Sequence, residues 1–86
     1  MNGATAEERK DNIEDKVIGI LAAHAEKDPG VISLDDALEA DMGFDDLDMV
    51  ELVFSLEIAF GLSIPEEDEK RLITGRDIVG YIQERL

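Results

Sequence analysis

The chain has 86 residues, enough for one domain with one modest core. It has no cysteine, so disulfides and thiolate metal sites are excluded and a reducing cytoplasm is expected. A formal net charge of -14 argues against nucleic-acid partners, whose phosphates would be repelled.

Residues 6–25 form the first predicted helix. Ile13, Val17, Ile20, Leu21 and His24 recur at helical spacing, Thr5 is its N-cap, and Glu7, Glu8 and Asp11 lie near the end that favours acids. Asp28-Pro29-Gly30 is expected to end it. Residues 31–44 read as a long loop pinned to a core by Val31, Ile32, Leu34, Leu38 and Met42, with a short helical turn at residues 35–38.

The second helix is predicted from Asp46 or Leu47 to Phe60, with Asp45 or Asp46 as its cap and Gly61 as its stop. It is apolar on two sides. Met49, Leu52, Val53, Leu56 and Phe60 form one stripe; Leu47, Val50, Phe54 and Ile58 form another, with Glu51 among them. A small core can bury only one, so the other is expected to be at least partly exposed, as partner sites often are. Pro65 suits the first position of a short third helix over residues 65–71. Thr74 caps the last helix, with Asp77 three residues on and Ile78, Tyr81, Ile82 and Leu86 as the inner stripe, Val79 at its edge. The fold class is therefore all-α: a bundle of three main helices plus one short one, with a long first loop. Residues 1–5 are expected to be a flexible N-terminus and residues 6–86 the domain.

Charge is concentrated in the middle of the chain. Between Asp28 and Glu69 there are 14 acidic residues and no Lys or Arg, so the whole net charge belongs to that segment. Such a segment solubilises, and it also offers a docking face to basic partners. Neither the amino terminus nor any other stretch carries the apolar run of a signal peptide or a membrane span.

The run from Asp41 to Val53, Asp-Met-Gly-Phe-Asp-Asp-Leu-Asp-Met-Val-Glu-Leu-Val, resembles the signature of acyl carrier proteins, Leu-Gly-any-Asp-Ser-Leu-Asp followed by an apolar and acidic helix. Leu56-Glu57-Ile58-Ala59-Phe60, Ser63-Ile64-Pro65-Glu66-Glu67 and Asp77-Ile78-Val79-Gly80-Tyr81-Ile82 extend the resemblance over about residues 13–82. The resemblance implies a carrier for fatty-acid or related lipid or polyketide biosynthesis, monomeric, that docks on basic patches of acyl-chain biosynthetic enzymes and of a phosphopantetheinyl transferase.

It also places Asp46 where the family has the serine that bears 4'-phosphopantetheine. A hydroxyl there yields a stable phosphodiester, whereas a carboxylate would yield a mixed anhydride that water destroys. No cofactor is therefore expected on the chain as it stands, and 4'-phosphopantetheine would be expected if Asp46 were Ser. Deliberate replacement and natural loss both fit, and Asp caps helices as well as Ser does.

Positions implied to meet partners are Asp45, Leu47, Asp48, Val50, Glu51, Phe54, Glu57 and Ile58. Ile58, where many members have an acid, points to a specialised carrier, and Gly75 in place of a common apolar residue and the long extension before Ile13 point to a divergent member. Candidates for the family's acyl cleft are Leu52, Val53, Leu56, Phe60, Leu62, Ile64, Leu72 and Ile73, most of which serve equally as core. No nucleophile is paired with a base, so no enzyme is expected. His24 reads as a boundary residue favoured by the helix dipole. Asp41, Asp45, Asp46 and Asp48 lack the alternation and glycine placement of a calcium loop, so no metal site is expected. A module that carries nothing but docks on and regulates or scaffolds enzymes is the alternative.

Overall fold

In a computed structural model, residues 5–86 are described. Four helices follow one another: α1 (Ala6–Ala25), α2 (Asp46–Phe60), the short α3 (Glu66–Glu69) and α4 (Gly75–Arg85). Among the described residues the only extended pairing is an isolated antiparallel bridge between Ala37 and Thr74. The all-α bundle with one short helix is what the sequence periodicity led us to expect. The expected flexible terminus lies outside the described residues, apart from Thr5, whose side chain accepts the Glu8 N–H and caps α1.

α1 packs against both α2 and α4. Ile13, Val17 and Leu21 face Leu52, Val53 and Leu56 of α2 and Ile78, Val79 and Ile82 of α4 in one cluster. Each fully buried aliphatic side chain contributes roughly 1.5–3 kcal/mol. Leu34, Leu38 and Phe44 pin the long loop to the same core.

Backbone bonds stitch that loop to the start of α4: Leu38 N–H donates to Ile73 C=O at 2.8 Å and Arg76 N–H to Leu34 C=O at 2.8 Å. These bonds leave residues 35–38 as turns and a bridge, not the expected helical turn. Gly75 sits at this seam, where a Cβ would lie 3.0 Å from Leu34 Cδ2 and 3.1 Å from Leu21 Cδ1.

Several expectations are corrected. α1 spans the expected residues 6–25, but its stop is set by Glu26, in the left-handed conformation at φ 56°, with Lys27 N–H capping Ala22 C=O at 3.0 Å, and not by Asp28-Pro29-Gly30. Asp28, Pro29 and Gly30 instead start a separate 3-10 turn, Pro29–Val31. Pro65 precedes α3 as its cap residue, and the helix stops at Glu69, short of Arg71. Val31 and Leu86 are exposed, while Val79, placed at the edge by periodicity, is fully buried. Val31 is the last residue of the 3-10 turn, where its neighbour Ile32 packs against the core instead, and Leu86 follows the last residue of α4.

Candidate functional site

The first turn of α2 is built by a reciprocal capping box. Asp45 accepts the Asp48 N–H at 2.8 Å and Asp48 accepts the Asp45 N–H at 3.0 Å. The N–H bond from Asp48 holds the Asp45 carboxyl below its ordinary value. Asp45 is therefore the cap and Asp46 the first helical residue. Asp46 is tolerated there because a carboxylate in the first turn complements the helix dipole, not because it caps. Its side chain is exposed.

From this point α2 presents its two stripes unequally. Leu52, Val53 and Leu56 are buried, and Met49 and Phe60 are half-buried at the two ends. On the other side Leu47, Val50, Phe54 and Ile58 are all more than 60% exposed, an apolar row flanked by Asp48 and Glu51. One face of a helix can meet the α1–α4 layer, so the second row stays in solvent. Exposed apolar surface of this extent is characteristic of interaction sites.

Two of the acids expected on the docking face also hold the fold. Glu57 is half-buried, and its Oε2 accepts the Ile64 N–H at 2.8 Å, fixing the connector between α2 and α3. Asp48 belongs to the capping box, so replacing it would disturb the helix start as well as the surface.

Beside Asp46 lies a groove of about 450 Å³ between α2, the loop and α3, with Ala37, Ala40, Met49, Val50, Leu72 and Ile73 as its apolar lining and Glu39, Asp46, Glu66, Glu69 and Lys70 around it. Of the eight cleft candidates only Leu72 and Ile73 line it. Leu52, Val53, Leu56 and Ile64 are buried in the core, Phe60 and Leu62 pack half-buried against it, and Ile73 is 59% exposed. Met49, Ala37 and Ala40 complete the groove; Met49 was expected in the core stripe and not in the cleft, and the two alanines were not singled out by sequence, although the spacing that puts Met49 three residues beyond Asp46 was an available signal.

No serine hydroxyl stands at this helix start. Ser55 is half-buried on α2 and shares a hydrogen bond of 2.9 Å with His24 Nε2, which ties the end of α1 to α2. Ser33 accepts the Asp35 N–H in the loop, and Ser63 lies in the connector that precedes α3. His24, read as a boundary residue, thus has a specific partner 31 positions away.

α3, one wall of the groove beside Asp46, is tethered to α4. Tyr81 donates its hydroxyl to Asp68 at 2.7 Å, and Arg85 stacks 3.5 Å from the Tyr81 ring centroid while approaching Asp68 at 3.7 Å. Burial, then the bond to Asp68, push the Tyr81 hydroxyl above its usual value. These contacts keep the short α3 against the body of the protein although its own first turn has no side-chain cap.

Comparison with known proteins agrees with this arrangement. The family model described as a phosphopantetheine attachment site matches residues 15–82. Acyl carrier proteins of Rickettsia canadensis (strain McKiel), Rickettsia rickettsii (strain Iowa) and Rickettsia prowazekii (strain Madrid E) are each 37% identical to the chain over 75 residues, 87% of this chain and 87% of each relative. With helix order, the α2 start and the sequence match in agreement, the chain belongs to the acyl carrier protein family, whose members are non-catalytic carriers.

Proposed function

We propose that the chain is a carrier scaffold of fatty-acid or related lipid or polyketide biosynthesis that docks on basic patches of partner enzymes, in a form that does not take 4'-phosphopantetheine. The observation that carries this reading is the placement of Asp46. It is the exposed first residue of α2, directly after the Asp45 cap and at the rim of the groove, where the family resemblance expects the modified serine. The residues present do not fit the group. Attachment needs an alcohol oxygen at this helix start, and Asp46 offers a carboxylate, while Ser55 is engaged by His24 well inside α2.

The docking half of the reading rests on Leu47, Val50, Phe54 and Ile58, exposed in a row beside Asp48 and Glu51. A basic, apolar-rimmed patch would be complementary to it in both charge and polarity, with association slowed by salt. Ile58 gives the row a fourth large apolar group, which favours a specialised partner.

A non-carrying module that regulates or scaffolds the same enzymes shares this face, and Asp46 itself favours it. One experiment separates the two. The chain and its Asp46→Ser variant are incubated with coenzyme A and a broad-specificity phosphopantetheinyl transferase, then weighed intact. Gain of the phosphopantetheine mass by the variant alone is expected of a carrier scaffold. Gain by neither would assign the chain to the non-carrying module, and gain by the unaltered chain would overturn the role given to Asp46.

A further inference from the structure

Among the described residues of this strongly acidic chain, a second groove is lined without any acidic side chain. It is a groove of about 420 Å³ between the first half of α1 and the ends of α2 and α4, remote in sequence from the Asp46 groove. Arg9, Asn12 and Lys16 line it from α1 and Gln83 from α4. All four are hydrogen-bond donors, two of them cationic. Ile13, Phe60 and Leu86 supply its apolar surface.

The spacing makes this a single face. Arg9, Asn12 or Ile13, and Lys16 follow one another at three- and four-residue steps, so the donors stack along one side of α1. Phe60 is half-buried with its ring beneath Lys16, whose Nζ stands 5.7 Å from the ring centroid. Among the described residues the ion pairs engage Arg76 and Arg85, while Arg9 and Lys16 have no such partner. Leu86 is exposed beside them.

We propose that this groove binds a single-chain alkyl carboxylate, with the head group on Arg9 and Lys16 and the chain along Ile13, Phe60 and Leu86. Charge complementarity selects the occupant. The Asp46 groove is ringed by four carboxylates and would repel such an anion, whereas this one is lined by the cations of Arg9 and Lys16 and the amides of Asn12 and Gln83, with no acidic side chain. The net charge of the whole chain opposes anions at long range, yet at physiological salt fields are screened within about 8 Å, so the nearest groups decide. The size falls within the range of small-molecule sites, roughly 300–1,000 Å³. The inference does not depend on whether Asp46 can be modified.

The test is a titration of the full chain with decanoate, below its micelle concentration, followed by amide chemical shifts and by thermal melting. Acetate and decyltrimethylammonium are the controls for head group and tail. Decanoate is expected to saturate at one equivalent, to shift amides around Arg9, Asn12, Lys16, Phe60 and Gln83, and to raise the Tm by mass action. The Arg9→Gln/Lys16→Gln double variant should bind about tenfold more weakly, from two exposed charges each worth up to ~1 kcal/mol. Its unliganded melting curve checks that it is folded. Shifts by the trimethylammonium compound at the same residues, shifts confined to the Asp46 groove, or unchanged affinity of the double variant would overturn the proposal. Concentration-dependent shifts at these residues without any ligand would assign the groove to a second copy of the chain and overturn it equally.

Discussion

Glu57 can be tested as a structural acid as well as a surface one. Its Oε2 accepts the Ile64 N–H at 2.8 Å, and Ile64 is buried at 6% exposure. Glu57→Ala would leave that N–H without its partner at the turn between α2 and α3. A hydrogen bond to a charged group is worth ~1.5–3 kcal/mol net, and half-burial of Glu57 puts this one at the low end. Two effects oppose the loss: removing one acid from the acidic segment relieves at most ~0.5 kcal/mol of repulsion, and alanine is the better helix former by a few tenths. The net cost is therefore about 1 kcal/mol. Glu57→Gln keeps an oxygen in place and should cost about half as much. With a urea m-value of about 1 kcal/mol/M for so small a domain, the Ala variant should unfold near 1 M lower urea. Equal midpoints for Ala and wild type, or Gln as damaging as Ala, would refute the reasoning and return Glu57 to a purely surface role.

Gly75→Ala should destabilise by about 1 kcal/mol, because overpacking against Leu34 and Leu21 (roughly 1–3 kcal/mol) exceeds the gain in helix propensity; the Tm should fall by about 4–8 °C. An unchanged Tm would mean that Leu34, whose Cα would lie 3.2 Å from the new Cβ, yields freely. Glu26→Gly should stabilise by about 0.5–1 kcal/mol, since only glycine occupies φ 56° without steric cost, and a lower urea midpoint would contradict this. The Asp45 carboxyl is lowered in the folded state by the Asp48 N–H, so its contribution is complete above the unfolded value of about 3.9 and is lost as pH falls through the lower folded value. Asp45→Asn keeps a capping oxygen but cannot titrate, so its stability deficit should be constant above about pH 5 and shrink below about pH 4; a deficit independent of pH would refute that coupling.

Helix existence and type were legible in the sequence because they depend on local signals. Ile13, Val17 and Leu21 repeat at helical steps, and Thr5, Asp45 and Thr74 are short polar side chains that reach the nearby N–H groups of Glu8, Asp48 and Asp77. Thr74 and Asp77 were the candidate pair at α4, and the capping boxes found there and at Asp45–Asp48 of α2 both join residues three apart, so their closure needed no long-range information. The family signature was likewise contiguous, from Asp41 to Val53.

What could not be read locally is which of two equal options the packing selects. Both stripes of α2 are apolar, and only the position of α1 decides that Leu52 is buried and Phe54 is 62% exposed. Leu52, Val53 and Leu56 look like cleft residues in sequence as much as Ile73 does, yet they are buried in the core, while Ile73, its backbone drawn against Leu38, is exposed at the groove. Glu57 with Ile64 and His24 with Ser55 are pairs made by the fold, the second across 31 positions. The groove lined by Arg9 and Lys16 needs residues 9–16, 60 and 83–86 brought together from three parts of the chain. Helix formation is set by neighbours along the chain, but the burial of a face and the company of a charge are set by neighbours in space, which only the closed bundle supplies.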